Sequence, residues 1–221
     1  MFKEILYDAR SIAKRDPAAR STAQVILLYS GLRALIYYRI SHWFYKKGRN
    51  FLARYVSELG KRSTGIEIHP GATIGRGLFI DHGMGVVIGE TAEVGDNVTI
   101  YQGATLGGTG KDTGKRHPTI GNNVLISSGA KILGPFKVGD NARIGANAVV
   151  LSEVEPGVTV IGVPGRAVRR GTEKLSPSMA SEELDQIHIP DPVSQELCKL
   201  LSRIENLEKE MSDKENKGSK E

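Results

Sequence analysis

Aliphatic side chains recur every six residues between about residues 66 and 162. They stand at Ile68, Ile74, Ile80, Val86, Ile88, Val94, Ile100, Leu106, Ile120, Ile126, Ile132, Val138, Ile144 and Val150. An α-helix has a period of 3.6 and cannot place residues six apart on one face, and simple strand alternation requires apolar residues at every second position. A period of six instead suits short strands with one inward side chain each, three of which close a triangular coil. The pattern predicts a left-handed parallel β-helix built from hexapeptide repeats.

The repeat is interrupted at two places. Its phase slips by two residues between Val86 and Ile88, and fourteen residues separate Leu106 from Ile120. The second interruption, Gly107–Thr119, is expected to leave the coil as a projecting loop, and loops on a rigid scaffold often carry binding groups. This loop is rich in glycine and lysine, but it lacks the GK[ST] ending of a Walker loop, which argues against nucleotide hydrolysis.

Residues 1–63 carry helical patterns and are predicted to form an α-helical cap over one end of the β-helix. A first helix should end near Asp16-Pro17, because a proline disfavours helical geometry at the residue before it. Asp16 is then expected to cap a second helix, with Pro17 in its first turn, that continues to about Lys47. The sequence Gly48–Asn50 should break that helix, and Phe51–Arg62 should form another.

The C-terminal region 171–221 is predicted to be a linker followed by an amphipathic helix, so that residues 64–170 form the β-helix domain. Apolar residues alternate by three and four at Leu197, Leu200, Ile204, Leu207 and Met211. This spacing suits either a short trimeric coiled coil or one helix packed on its own subunit.

The charge distribution is uneven. The chain has a formal charge of +5, and residues 171–221 contain 7 Lys and Arg against 12 Asp and Glu, which leaves +10 for residues 1–170. The basic residues of this part are scattered, and it contains no nucleic-acid-binding motif. The positive charge is then either an ordinary solvated surface or a means of attracting a small phosphorylated ligand. A single cysteine, Cys198, excludes an internal disulfide framework. The absence of a signal-peptide core or membrane-length apolar run predicts a cytoplasmic protein without a membrane partner.

Candidate catalytic chemistry centres on Asp81-His82, an ionisable pair at a turn of the coil. Histidine suits proton transfer near neutral pH. Glu67 lies fifteen residues earlier in the sequence, less than one coil of about eighteen residues, so its carboxylate could orient the imidazole. The alternative is that Asp81, His82 and Glu67 only form hydrogen bonds within the turns of the coil and have no catalytic role. A zinc site is a rival interpretation, but His69, His82 and His117 are too dispersed for three ligands, and no metal is expected.

Six segments of the chain form a specific combination: Gly65-Ile-Glu-Ile-His-Pro-Gly-Ala-Thr-Ile-Gly, Ile80-Asp-His-Gly, Val87-Ile-Gly-Glu-Thr, Thr105-Leu-Gly-Gly-Thr-Gly-Lys, Arg116-His-Pro and Asp16-Pro-Ala. Together they resemble the serine O-acetyltransferase family. The resemblance runs from about Arg15 to Arg170. It implies transfer of acetyl from acetyl-CoA to the hydroxyl of L-serine, which makes O-acetyl-L-serine for cysteine biosynthesis.

The resemblance also implies roles for individual residues. His82 would be the general base, oriented by Glu67, where the family usually has aspartate. Asp16 and Asp81 would bind the ammonium group of serine. Arg116 and His117 would bind the carboxylate group of serine. The coenzyme-binding positions are Gly108, Ser128 and Ala146, small residues that also suit ordinary turns.

The family further implies partners. A homo-oligomer is expected, with a trimer favoured over a hexamer because only about sixty residues precede the repeats. Cysteine is expected as a feedback inhibitor. A complex with O-acetylserine sulfhydrylase should be weak or absent, since the chain ends in Glu221 rather than isoleucine. The competing class is a catalytically silent β-helix that acts as a scaffold.

Overall fold

The repeat region folds into a solenoid of about five turns. The structure is a computed structural model that describes residues 2–110, 112–168 and 200–204. Its strands are β1 Glu67–Ile68, β2 Thr73–Ile74, β3 Phe79–Asp81, β4 Val87–Ile88, β5 Glu93–Val94, β6 Thr99–Tyr101, β7 Thr105–Gly107, β8 Thr119–Ile120, β9 Leu125–Ile126, β10 Lys131–Leu133, β11 Lys137–Val138, β12 Arg143–Ile144, β13 Val149–Val150, β14 Thr159–Ile161 and β15 Arg166–Val168.

These strands form three sheets, one for each side of the triangular coil. Sheet A has the order β1-β4-β7-β10-β13, sheet B the order β2-β5-β8-β11, and sheet C the order β3-β6-β9-β12-β14-β15. Each strand pairs in parallel with its equivalent one coil later, except that β15 pairs antiparallel with β14. In sheet A the register joins Ile68, Ile88, Leu106, Ile132 and Val150.

The aliphatic side chain of each strand fills the interior of the solenoid. Those of Ile88, Ile100, Ile126, Ile132 and Ile144 are fully buried. Such columns of aliphatic side chains account for the six-residue period, because each two- or three-residue strand directs one of them inward. The prediction of a hexapeptide-repeat β-helix is confirmed.

The N-terminal region contains four helices. These are α1 Phe2–Arg15, α2 Thr22–Leu28, α3 Ser30–Lys46 and α4 Asn50–Thr64. The predicted breaks at Asp16-Pro17 and Gly48–Asn50 are confirmed, but the prediction that Asp16 caps the second helix is wrong. Ser21 is the cap, and its hydroxyl accepts a hydrogen bond from the Gln24 N–H. Extended backbone at Tyr29 also divides the predicted second helix into α2 and α3.

Helices α3 and α4 cover the first coil of the solenoid, which confirms the predicted helical cap. Leu35 and Tyr38 belong to the same buried cluster as the aliphatic columns. The Tyr38 hydroxyl donates a 2.7 Å hydrogen bond to the Ala72 carbonyl, and the Ser57 hydroxyl donates a 2.9 Å bond to the Ile68 carbonyl. These buried bonds satisfy backbone carbonyls of the first coil that no preceding coil can reach.

Residues 1–187 and 188–221 form separate compact units. In the second unit, residues 200–204 are helical and Leu200, Leu201 and Ile204 are exposed. The other members of the predicted apolar seam, Leu197, Leu207 and Met211, and the linker lie outside the described residues. The predicted domain boundaries stay predictions. Among the described helices, none is long and apolar enough to cross a membrane.

Candidate active site

The first interruption of the repeat is a two-residue insertion, His82-Gly83, at the corner between sheets C and A. Asp81 pairs in register with Tyr101, and the Gly103 N–H donates to the carbonyl of Met84, the residue after the insertion. His82 has a φ of 57°, a left-handed conformation shared only with glycines and asparagines among the described residues. This conformation is costly for most side chains. It directs the imidazole outward, and the His82 side chain is 73% exposed.

Two carboxylates lie beside this insertion. The Asp16 side chain accepts a 2.6 Å hydrogen bond from the Tyr29 hydroxyl and a 2.8 Å bond from the Ala18 N–H. Burial and the nearby charge of Asp16 raise the pKa of Asp81, although His82 acts in the opposite direction. Burial and the bond to Asp16 raise the pKa of Tyr29 to about 12. The two half-buried carboxylates therefore suit a cationic ligand that would compensate their charge.

Glu67 occupies β1 and forms an ion pair with Lys61, whose Nζ lies 2.6 Å from Glu67 Oε2. The carboxylate that contacts His82 is Asp81, with 3.9 Å between Asp81 Oδ1 and His82 Nε2. Within the described part of the chain, no hydrogen bond joins Glu67 to His82. The orienting role of Glu67 stays a prediction.

Ser128 and Ala146 lie at the same corner as His82, on later coils. Successive corners are joined by backbone hydrogen bonds, from Gly129 N to Gln102 O and from Asn147 N to Ser128 O. Ser128 is half-buried and Ala146 is exposed. Their small side chains leave the edge of the solenoid open on these two later coils, whereas the equivalent positions on the earlier coils carry Met84 and Gln102.

The second interruption forms the predicted loop between β7 and β8, at the corner between sheets A and B. The Arg116 guanidinium donates from Nη2 to Glu90 Oε2 at 2.5 Å, and this pairing lowers the pKa of Glu90. Burial and the charge of Arg116 lower the pKa of His117. The His117 ring packs where a Cβ at Gly89 would stand, and a Cβ at Gly108 would lie 3.1 Å from Arg116 Cγ.

Within one chain the candidate residues thus form two groups. Asp16, Asp81 and His82 lie at the corner where sheet C meets sheet A, whereas Arg116 and His117 lie where sheet A meets sheet B. Among the described contacts, no hydrogen bond or ion pair joins the two groups.

A cavity of about 620 Å³ between α1 and sheet C is lined by basic residues, including Arg10, Lys14, Arg15 and Arg143, and by none of the predicted site residues. Arg15 is held there by the Gly77 and Asn97 carbonyls. In the described ranges, no group of three His, Cys, Asp or Glu side chains could hold a metal ion.

Three residues of these groups were given no role from the sequence: Tyr29, Glu90 and Thr91. Tyr29 lay within an apolar stretch that was predicted to be continuous helix. Glu90 and Thr91 belong to the segment Val87-Ile-Gly-Glu-Thr that carries part of the resemblance, but no pattern indicated that the loop, some twenty-five residues later, returns to them.

The solenoid and its repeat define a class of protein. The family described as bacterial transferase hexapeptide (six repeats) matches residues 117–152. The fold and this match define the class as the hexapeptide-repeat transferases.

The relatives are more specific. The chain is 50% identical over 211 residues to a serine acetyltransferase of Synechococcus elongatus, covering 96% of this chain and 84% of the relative. It is 51% identical over 211 residues to a serine acetyltransferase of Bacillus pumilus, covering 96% and 95%. The chain belongs to the serine acetyltransferase family.

Solved structures agree with this assignment. Soybean serine acetyltransferase complexed with serine has a TM-score of 0.73 at 43% identity, covering 75% of this chain and 68% of that chain. The Brucella abortus enzyme in complex with coenzyme A has a TM-score of 0.74 at 45% identity, covering 76% and 67%. A serine acetyltransferase in complex with cysteine has a TM-score of 0.79 at 39% identity, covering 85% and 71%.

Proposed function

We propose that the protein transfers acetyl from acetyl-CoA to the hydroxyl of L-serine, with His82 as general base, and so makes O-acetyl-L-serine for cysteine biosynthesis. The observation that carries the proposal is the His82-Gly83 insertion, which exposes an imidazole beside the carboxylates of Asp16 and Asp81. A scaffold would not need a histidine in this conformation. The names of the relatives support the same reaction.

The acceptor would be held by both of its charges. Asp16 and Asp81 suit the ammonium group, because their half-buried charges lack a cation other than His82 among the described residues. The Arg116 guanidinium is oriented by Glu90 through one nitrogen, and its remaining N–H groups suit a carboxylate. An amino acid held at both ends would present its side-chain hydroxyl to one catalytic group.

His82 would accept the hydroxyl proton while the serine oxygen attacks the carbonyl carbon of the thioester. A C–O bond forms, the C–S bond breaks, and the imidazolium returns the proton to the departing thiolate. Asp81, in contact with His82 Nε2, and Glu67 are the two carboxylates that could stabilise the imidazolium. Backbone N–H groups would stabilise the negative charge on the carbonyl oxygen.

The two separated groups favour a site shared between subunits. In a homotrimer, the loop of one chain would bring Arg116 and His117 to the His82 corner of its neighbour. The coenzyme would then lie between adjacent solenoids, along Ser128 and Ala146 of one chain and Gly108 of the other. Relatives crystallised with serine and with coenzyme A support these ligands. We propose a trimer rather than a hexamer.

Cysteine is proposed as a feedback inhibitor, because it presents the same ammonium and carboxylate as serine and because a relative has been solved with it.

The function is tested by following thiol release from acetyl-CoA with acceptors that differ in charge. L-Serine should be acetylated efficiently. 2-Aminoethanol lacks the carboxylate and 3-hydroxypropanoate lacks the ammonium group. Each should lose at least about 100-fold in kcat/KM, since each leaves the half-buried charged groups at one end of the acceptor site without their ligand partner. Equal use of all three acceptors, or no transfer to L-serine, would contradict the proposal.

A further inference from the structure

Thr91 lies at the corner between sheets A and B, directly below the returning loop. It is half-buried. Its hydroxyl oxygen accepts hydrogen bonds from two successive backbone N–H groups of the loop, those of Arg116 at 3.0 Å and His117 at 3.1 Å. A threonine hydroxyl offers two acceptor positions and one proton, so these two bonds fill its acceptor capacity.

The remaining proton of this hydroxyl points to the His117 ring. Thr91 Oγ1 lies 2.9 Å from His117 Nδ1, and the Thr91 backbone N–H donates to the same Nδ1 at 3.2 Å. An amide N–H can only donate, so Nδ1 must be an acceptor without a proton, and the hydroxyl also donates to it. The neutral imidazole therefore carries its proton on Nε2. Thr91 thus fills all three of its side-chain hydrogen-bonding positions with the loop.

The neighbouring side chain, Glu90, completes the arrangement. It pairs with the Arg116 guanidinium at 2.5 Å and contacts the Tyr45 hydroxyl at 3.5 Å. Gly89, the residue before it, leaves the space that the His117 ring occupies. Three consecutive residues of one corner thereby set the position of Arg116, and both the position and the tautomer of His117.

We propose that Thr91 is a positioning residue for the acetyl acceptor, which fixes His117 as the Nε2–H tautomer and aligns it with Arg116 to bind the carboxylate. This inference rests on the proposed function, in which these two side chains bind that carboxylate. His117 Nε2 has no hydrogen-bond partner among the described residues, which leaves its N–H for the ligand. The guanidinium and this N–H would together offer a carboxylate donors to both of its oxygens.

The test compares Thr91→Val, which keeps the shape and removes the hydroxyl, with Thr91→Ser, which keeps the hydroxyl, in the full chain. Thr91→Val should raise the KM for L-serine about tenfold or more and leave the KM for acetyl-CoA unchanged. Thr91→Ser should stay within about threefold of wild type for both substrates. With 2-aminoethanol, which has no carboxylate, the two variants should behave alike. A general packing defect would not produce this difference between acceptors.

Imidazole nitrogen NMR of the wild-type chain gives a readout that does not depend on activity, with the His117 signals assigned by their loss in His117→Gln. Neutral His117 should show a protonated Nε2 and an unprotonated Nδ1. Thr91→Val loses the hydroxyl bond to Nδ1 and keeps the backbone N–H bond, so its Nδ1 signal should move toward that of a more weakly bonded acceptor nitrogen. A protonated Nδ1 in the wild type, or equal serine KM values for Thr91→Val and Thr91→Ser, would overturn the proposal.

These experiments distinguish a wrong role for Thr91 from a wrong proposed function. If the wild-type enzyme acetylates L-serine but Thr91→Val matches Thr91→Ser, only the role of Thr91 is wrong. If the wild-type enzyme does not acetylate L-serine, the proposed function fails, and the role of Thr91 in acceptor binding fails with it. Should Thr91→Val not fold, Thr91→Ala takes its place in the comparison with Thr91→Ser, and a protonated Nδ1 in the wild-type chain still overturns the proposal.

Discussion

The space left by Gly89 allows a direct test of how the loop is held. A Cβ at this position would lie 2.9 Å from His117 Cε1 and closer still to Cδ2 and Nε2. Ordinary carbon contacts require about 3.5 to 4.0 Å, so in Gly89→Ala the ring must move by roughly 1 Å or more. Since His117 Nδ1 and the backbone N–H are bound to Thr91, the ring cannot move without weakening those bonds.

A displacement of this size in a substrate-positioning group can lower activity by about 100-fold, which corresponds to about 2.7 kcal/mol. We therefore expect Gly89→Ala to lose about 100-fold in kcat/KM for L-serine, mainly through KM, with little change in the KM for acetyl-CoA. The assay is thiol release under saturating concentrations of the other substrate.

Gly95→Ala is the matched control. Gly95 follows Val94 as Gly89 follows Ile88, and its added Cβ would meet Asn122 Oδ1 at 2.7 Å and the Gly121 backbone at 2.8 Å, away from the loop. The control should lose stability without a selective rise in the KM for L-serine. A folded Gly89→Ala enzyme with wild-type serine kinetics would refute the view that His117 is held in place for the acceptor.

Three further predictions concern the carboxylate pair and the helical cap. Tyr29→Phe removes the bond that holds Asp16, and because hydrogen bonds to charged groups contribute about 1.5–3 kcal/mol, the KM for L-serine should rise about tenfold; steady-state kinetics that show no rise would exclude this role. The pKa of Asp81 is raised, so as the pH falls Asp81 should lose its charge, and the KM for L-serine should begin to rise, at a higher pH than an aspartate with an ordinary pKa would give. In Asp16→Asn, which removes one cause of the raised pKa, a pH series should show the rise in KM at lower pH. An unchanged profile would contradict the coupling between the two carboxylates. Tyr38→Phe leaves the Ala72 carbonyl buried without its partner, so urea denaturation should show a loss of about 1–3 kcal/mol in unfolding free energy, and an unchanged midpoint would show that water replaces the hydroxyl.

The fold could be predicted because nearly every strand of the solenoid contributes an aliphatic residue to the six-residue period. Each coil needs one inward aliphatic residue per side, and the strands are too short to tolerate another arrangement. Even the exceptional insertion was visible, since Ile80 and Ile88 are eight residues apart rather than six. The spacing located the loop and indicated the slip, although it placed the slip between Val86 and Ile88, whereas the structure places the two extra residues at His82-Gly83.

The contacts around those exceptions could not be predicted in the same way. The bond from Tyr29 to Asp16 depends on a break between α2 and α3 that has no proline or glycine to mark it. The contacts of Thr91 and Glu90 arise only when the loop folds back over its own solenoid. Neither arrangement follows a sequence period, because both join residues of different elements.

The proposed mechanism requires His82 to accept the serine hydroxyl proton during acetyl transfer. His82→Ala, tested for thiol release with acetyl-CoA and L-serine, measures this most directly. General-base catalysis contributes about 10²- to 10⁴-fold, so kcat should fall by that factor while circular dichroism and coenzyme binding stay as in the wild type. A folded His82→Ala enzyme with wild-type kcat would contradict the account.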